Sequence, residues 1–406
     1  MLFRFKRVDR MRRPVLGPRA RMLCALAAAA LVWLLDTALR PSAPAPAQAL
    51  MPVALAGGAD VDVRSLQRVA QGNFPMPEGA QAAHASSLLV MPADHPAALT
   101  VFWFSGERES GPLVQIVASQ LSRATGTWSA PVVVLNRHAL GEQVGYGLRR
   151  FGNPVAWLDA QGRVHLFVVA TGWGGWAASR ILHVVQSGAT QALPELAFEP
   201  VRTLPLSWLW NTSYLVRNAP LALTDGGMVL PVHFELGIKV PAALRFDAQG
   251  QFKGMVRLSQ FKYLLQPALL AQAPHQWLAF MRDERMDGKI GVVQTLDGGQ
   301  HWHDLPDLPL DNPDAAVAAI ALAPRQLLLA HNASTSGRDR LDLSHSEDGL
   351  HWTLLHTLEQ GAPADEFSYP DMAWVDGSLW VSYTVDRQRL AWQRFAPVPK
   401  KGESKP

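Results

Sequence analysis

The chain is 406 residues long, 48% hydrophobic and 17% charged, the make-up of a folded protein rather than a disordered one. Its net charge of +3 hides an asymmetry: of 37 basic and 34 acidic residues, nine and two fall within residues 1–40, leaving 28 and 32, a net −4, for the rest. That balance excludes a basic nucleic-acid-binding face on the body of the protein. The single cysteine, Cys24, lies in an N-terminal apolar run, so the body offers no disulfide, no thiolate nucleophile and no cysteine-based metal site.

In chain order, a basic n-region (1–21) precedes "MLCALAAAALVWLL", Met22 to Leu35. The segment 22–39 reads as a signal peptide or a membrane anchor, since the apolar run is short for a bilayer span and suits an h-region. "RPSAPAPAQA" follows and ends in Ala47-Gln48-Ala49, a small-x-small cleavage pattern, within a Pro/Ala-rich linker (40–75). Either reading places the rest outside the cytoplasm, periplasmic or anchored in the inner membrane, with the N-terminus engaging that membrane at least during export.

The body then repeats one hairpin six times: residues 84–106, 153–172, 218–235, 266–283, 315–334 and 368–386. Turns such as "DAQG", "TDGG" and "VDGS" supply the φ values of tight hairpins, and runs such as "VHLFVV" and "LWVSYTV" are rich in strand-forming residues. The mean spacing is about 57 residues, which fits four-stranded propeller blades. The expected fold is all-β, a six-bladed β-propeller over 76–396, preceded by the signal or anchor helix and followed by a disordered tail (397–406).

Two stretches of the outer strand pairs nearly repeat one another: "TLDGGQHW" with Thr295, Asp297, Gly299 and Trp302, and "SEDGLHW" with Ser346, Asp348, Gly349 and Trp352. The hydroxyl and carboxylate can bond local backbone, glycine allows positive φ, and Trp packs beneath, so these are structural turn staples. "SRATGTW" (122–128) reads as a copy without its Asp. The first pattern has the spacing of the Asp-box, and the body resembles the bacterial sialidase-like family with such repeats. "GNPVAWLDAQGRVHLF", "LPVHFE", "LDNPDAAV" and "FSYPDMAWVDGSLWVSYTVDR" carry the likeness further. The resemblance implies a six-bladed propeller and a site for acidic or complex glycans.

Chemistry is expected on one face, where first strands begin and second strands end, because apolar strands stop there in polar residues six times over. The candidates for catalysis are Tyr369 or Tyr383 as nucleophile, Glu235 as its base, Glu107 as acid (with Glu109 as the other choice), and His84 and His233. Arg108, Arg282 and Arg387 are candidates to clamp a substrate carboxylate, since guanidinium pairs with it at two points. Arg217, Asp283, Asn153 and Asn312 are further substrate-binding candidates. Where the family begins its first blade with Arg-Ile-Pro, this chain has "HASSLL" and no arginine. Three readings stay open. The leading one is a glycoside hydrolase of exo-α-sialidase type. The second is a polysaccharide lyase on uronic-acid glycans, using His and Tyr. The third is a glycan-binding or envelope protein without turnover. The expected partner is a sialylated or uronate-containing glycan. No nucleic acid, metal or cofactor is expected, and the oligomeric state is left open.

Overall fold

The computed structural model describes residues 17–51, 62–109, 111, 113–188, 190–286 and 288–398, so the start of the n-region and most of the expected tail lie outside the described residues. The chain divides into two compact units, the first containing the apolar helix and the second containing the body. The helix, Pro18–Leu39, has 22 residues, none of them buried. At 1.5 Å per residue it is about 33 Å long, enough to cross a bilayer.

The body is a six-bladed β-propeller of six antiparallel sheets. Blade 1 runs Ala82–Val90, Ala97–Gly106, Gln115–Ser122 and Val132–Leu135; blade 2 runs Arg150–Leu158, Val164–Thr171, Ser179–Gln186 and Phe198–Thr203. In blade 3 the innermost strand is split into Tyr214–Val216 and Leu221–Ala222, both pairing with Met228–Leu236, before Ile238–Phe246 and Phe252–Arg257. Blade 4 runs Leu264–Ala273, Gln276–Asp283, Gly291–Thr295 and His303–Asp304, and blade 5 Ala318–Ala323, Gln326–Asn332, Arg340–Ser346 and Thr353–Gln360. Blade 6 joins the two ends of the body. Phe367–Val375, Ser378–Val385 and Arg389–Pro397 come from the C-terminal part, and Leu66–Asn73 pairs antiparallel with the last of them as the outermost strand.

Each second strand lies between two neighbouring blades and is buried on both faces, which is why "VHLFVVAT" (164–171) reads as a continuous apolar run without alternation. Six buried apolar clusters fill the ring, each shared by adjacent blades: Phe102 and Leu166 between blades 1 and 2, for instance, and Trp103 and Trp380 between blades 1 and 6. This closes the propeller without an open sheet edge at its core.

The propeller begins earlier than its apolar hairpins suggest. The stretch expected as a linker (40–75) contains the closing strand Leu66–Asn73 and a segment near Ala49 that bonds to blades 3 and 4. The closing strand is an outer edge, and only Leu66 in it is fully buried, so it carries no apolar signature.

At the Asp-box turns the side chains cap their own loops. Thr295 Oγ1 accepts from Gly299 N (3.0 Å), and Asp297 Oδ1 accepts from Gln300 N and His301 N, both at 3.0 Å. Trp302 Nε1 donates to Gly299 O at 3.1 Å. The second box repeats this: Gly349 N to Ser346 Oγ (2.8 Å), His351 N to Asp348 Oδ1 (2.8 Å), Trp352 Nε1 to Gly349 O (3.0 Å). Gly299 sits at φ 88°, and a Cβ there would strike Trp277 at 2.5 Å, so both conformation and packing require glycine.

Candidate active site

The face opposite the Asp-box turns is built by a repeated irregularity. The innermost strands of blades 1, 2, 4 and 6 each break register, at His84/Ser87, Phe151/Pro154, Leu265/Ala268 and Ser368/Asp371. Ala85, Gln266 and Tyr369 within these bulges take left-handed φ of 57°, 50° and 55°. Bulges turn a strand's side chains away from the pleat, and left-handed φ in a residue other than glycine costs roughly 1–3 kcal/mol. In blade 3 the same place is the gap that holds Arg217 and Asn218; in blade 5 Asp314, at φ 52°, precedes the innermost strand.

The re-aimed residues meet one another across blades. Gln266 Nε2 donates to Tyr369 Oη at 3.0 Å, while its Oε1 accepts from the Arg282 guanidinium at 3.3 Å. A single amide thus joins an arginine of blade 4 to a tyrosine of blade 6. The His84 ring lies against that of Tyr369 with centroids 4.1 Å apart, and the Arg217 guanidinium lies 4.9 Å from the Tyr369 centroid. Arg217 is buried and donates to Pro370 O at 2.8 Å. Burial, then the cations Arg387, Arg217 and Arg338, hold His84 well below the usual imidazole range, with Glu366 opposing, so it is neutral at neutral pH. Tyr369 itself is half-buried.

Beside this cluster runs a chain of ion pairs. Arg282 meets Asp314 at two points (2.6 and 2.9 Å), and Arg338 donates to Asp314 O at 2.6 Å and to Glu366 at 3.0 Å. Arg387 bridges Glu366 (2.8 Å) and Glu109 of blade 1 (2.9 Å). Burial opposes the ionisation of Glu366, yet hydrogen bonds from Arg387 and Ser368 and the charge of Arg338 bring it down to about 2. Burial likewise opposes the charge of Arg282, but Asp314 reverses that and Tyr369 and Glu235 add to it, which puts both within electrostatic reach of this guanidinium. Glu235 accepts from His233 Nε2 at 3.2 Å, the hydrogen bond that chiefly lowers its pKa; burial pushes His233 down.

Of the residues expected from sequence, Tyr369, Arg282, Arg217, His84, Glu235 and His233 are brought to this face together, and Arg387 joins through Glu366. Others are not brought in. Tyr383 is buried among blades 5 and 6, where its hydroxyl bonds Glu359 (2.5 Å) and Gln393 (3.1 Å). Arg108 and Glu107 are exposed at the edge of blade 1, and Glu109 rather than either of them reaches the ion-pair chain. Asp283 is buried against Arg285, which also holds Asp307, and so braces a blade 4 loop. Asn153 donates to Val216 O and ties blade 2 to blade 3. Asn312 closes a turn on Ala315. Asp314, Arg338 and Glu366 were not anticipated: they sit in loops, and only the left-handed turn at Asp314 and long-range pairing draw them in. Among the described residues no group of three or more His, Cys, Asp or Glu is placed to hold a metal ion.

The BNR repeat-like domain matches residues 97–381. No curated protein matches the chain. Among solved structures, the Hadza microbial sialidase Hz136 is 15% identical with TM-score 0.62, over 79% of this chain and 66% of that one. The intramolecular trans-sialidase of Ruminococcus gnavus is 11% identical with TM-score 0.60, over 82% and 99%. The sialidase of Trypanosoma rangeli, solved with 2,3-difluorosialic acid as a covalent intermediate, is 13% identical with TM-score 0.58, over 83% and 58%. The chain therefore spans 66% of the first of these and 58% of the third, both under two thirds, and the likeness is one of fold.

Proposed function

The chain belongs to the BNR repeat-like, sialidase-like family, and on that premise we propose that it is a glycoside hydrolase of exo-α-sialidase type, acting on a terminal acidic sugar. The observation that carries the reading is the Gln266 amide, which joins the Tyr369 hydroxyl to the Arg282 guanidinium and so sets a nucleophile beside a carboxylate binder. The sugar carboxylate replaces Asp314 as the two-point partner of Arg282, with Arg338 alongside. Tyr369 Oη attacks the anomeric carbon as its proton passes to Glu235. The glycosidic C–O bond breaks as Glu109, protonated and released from Arg387 in the substrate complex, gives its proton to the leaving oxygen. Water then cleaves the tyrosyl–sugar bond: its hydroxyl joins the anomeric carbon, its proton goes to Glu109, and Glu235 returns its proton to the phenol oxygen. Arg217 and Arg282 stabilise the negative charge that develops on the phenol oxygen.

A second reading has one specific support. His84, held neutral and packed on the Tyr369 ring, has the makings of a base–acid pair for elimination on a uronate. Its burial disfavours direct contact with substrate. The two are separated by mass balance on a panel of sialylated and uronate-containing glycans. Products that together outweigh the substrate by one water, with free sialic acid among them, are the outcome expected. Products that sum to the substrate, one of them unsaturated, replace it with elimination, and binding without any product refutes both.

A further inference from the structure

Residues 41–51 have the composition of a loose linker, with Pro41, Pro44 and Pro46, yet they are fitted into the propeller. Met255 N donates to Ser42 O at 3.1 Å. Ala47 N donates to Gly298 O in the first Asp-box turn (3.0 Å), Ala49 N to Pro274 O (2.8 Å) and Leu50 N to Ala222 O (2.8 Å), while Thr224 N donates to Gln48 O (2.9 Å). Ala49 also forms a bridge with Leu223. The strap therefore stitches blade 3 to blade 4, and the prolines leave no N–H unpaired where the segment is extended.

Its seat is shaped to receive it. Ala47 and Ala49 are buried at 8% and 0% exposure, in one apolar cluster with Leu223, Leu269 and Trp277. Gly254 stands inside the strand Phe252–Arg257, where glycine weakens a sheet unless something needs the space. A Cβ on Gly254 would overlap Ser42 O, and one on Gly298 would overlap Ala47 O. Leu50 then lines a cavity of about 240 Å³ with Asn218 from the gap in blade 3 and with Asp371 and Met372 from the innermost strand of blade 6.

We propose that this strap is a permanent part of the folded propeller, that the bond after Ala49 is not cut, and that the helix Pro18–Leu39 stays on the chain as its membrane anchor. A cut there would remove the donors of Ala47 and Ala49 and the acceptors of Ser42 and Gln48. It would uncover two glycine-floored seats and part of a buried cluster. The inference does not depend on the reaction proposed above.

The test is the fate of the full chain expressed in a bacterial host. Intact mass should include residues 18–39, and the protein should sediment with membranes and be released by detergent but not by alkaline carbonate. A species beginning at Leu50, or any soluble species lacking 18–39, overturns the proposal. Ala49→Trp in the full chain supplies a second readout. It should leave the mass of the backbone unprocessed, as in the unsubstituted chain, and lower the melting temperature by about 5 °C or more. An unchanged melting temperature, or accumulation of a precursor that the unsubstituted chain does not show, contradicts it.

Discussion

The two ends of the blades solve the same problem, what to do with polar side chains, in opposite ways. At the Asp-box end the partners are three or four residues apart: Asp297 with His301, Ser346 with Gly349, Trp352 with Gly349. At the other end they come from different blades: Gln266 with Tyr369, Arg217 with Pro370, Arg387 with Glu109. Local pairing completes one turn and needs nothing from the rest of the fold. Pairing across blades exists only once the ring has closed, and it holds arginines, a phenol and carboxylates facing one another in a half-buried place. The first is how a repeat is stabilised, and the second is how the candidate site is assembled.

Substitutions at the two ends should therefore fail differently. The largest effect is expected from Tyr369→Phe, which removes the proposed nucleophile while keeping the ring against His84 and Arg217. Turnover of a sialylated substrate should fall by at least about 10³-fold with little change in melting temperature. Arg282→Lys comes next: a point charge replaces the two-point grip, and kcat/KM should fall about 10- to 100-fold, mostly through KM. At the opposite end Asp297→Ala should leave kcat/KM within about twofold. By removing an acceptor shared by two backbone N–H groups it should cost about 1–2 kcal/mol in denaturant unfolding. If Asp297→Ala abolished activity while the fold survived, the division between the two ends would be wrong.

The smallest expected effect is one of pH. Glu366 titrates near 2 in the folded chain against an ordinary value of 4.5. A depressed carboxyl contributes stability that is fully present above its unfolded value and is lost as pH falls through the folded one. The melting temperature should therefore decline between about pH 4.5 and 2. Glu366→Gln should make that decline shallower while lowering stability at neutral pH, where Arg338 and Arg387 lose their partner.

The same contrast decides what the sequence made legible. The Asp-boxes can be read as spacing because the bonds made by their hydroxyl, carboxylate and indole side chains are local. The six hairpins can be read as apolar runs because second strands are buried on both sides. The closing strand "LQRVAQGN" hides because an outermost edge buries little, and the strap hides because proline and alanine suggest a linker until their seat is seen. For the candidate site, polar strand ends pointed to the face on which Tyr369, Arg282 and Glu235 lie. Their grouping could not be read, since Gln266 and Tyr369 stand 103 residues apart. Tyr383, which alternates with apolar neighbours, is a core tyrosine bonded to Glu359. One signal was available. The bulges carry Pro154, Pro267 and Pro370, residues without an N–H, where the strand ladder is broken.

Incubating the protein with 2,3-difluorosialic acid and mapping any adduct by peptide mass spectrometry tests the proposed tyrosine nucleophile directly. One covalent sugar on Tyr369, absent from the Tyr369→Phe variant, is the expected result. An adduct on another residue, or none from a protein that still releases sialic acid from glycans, would contradict it.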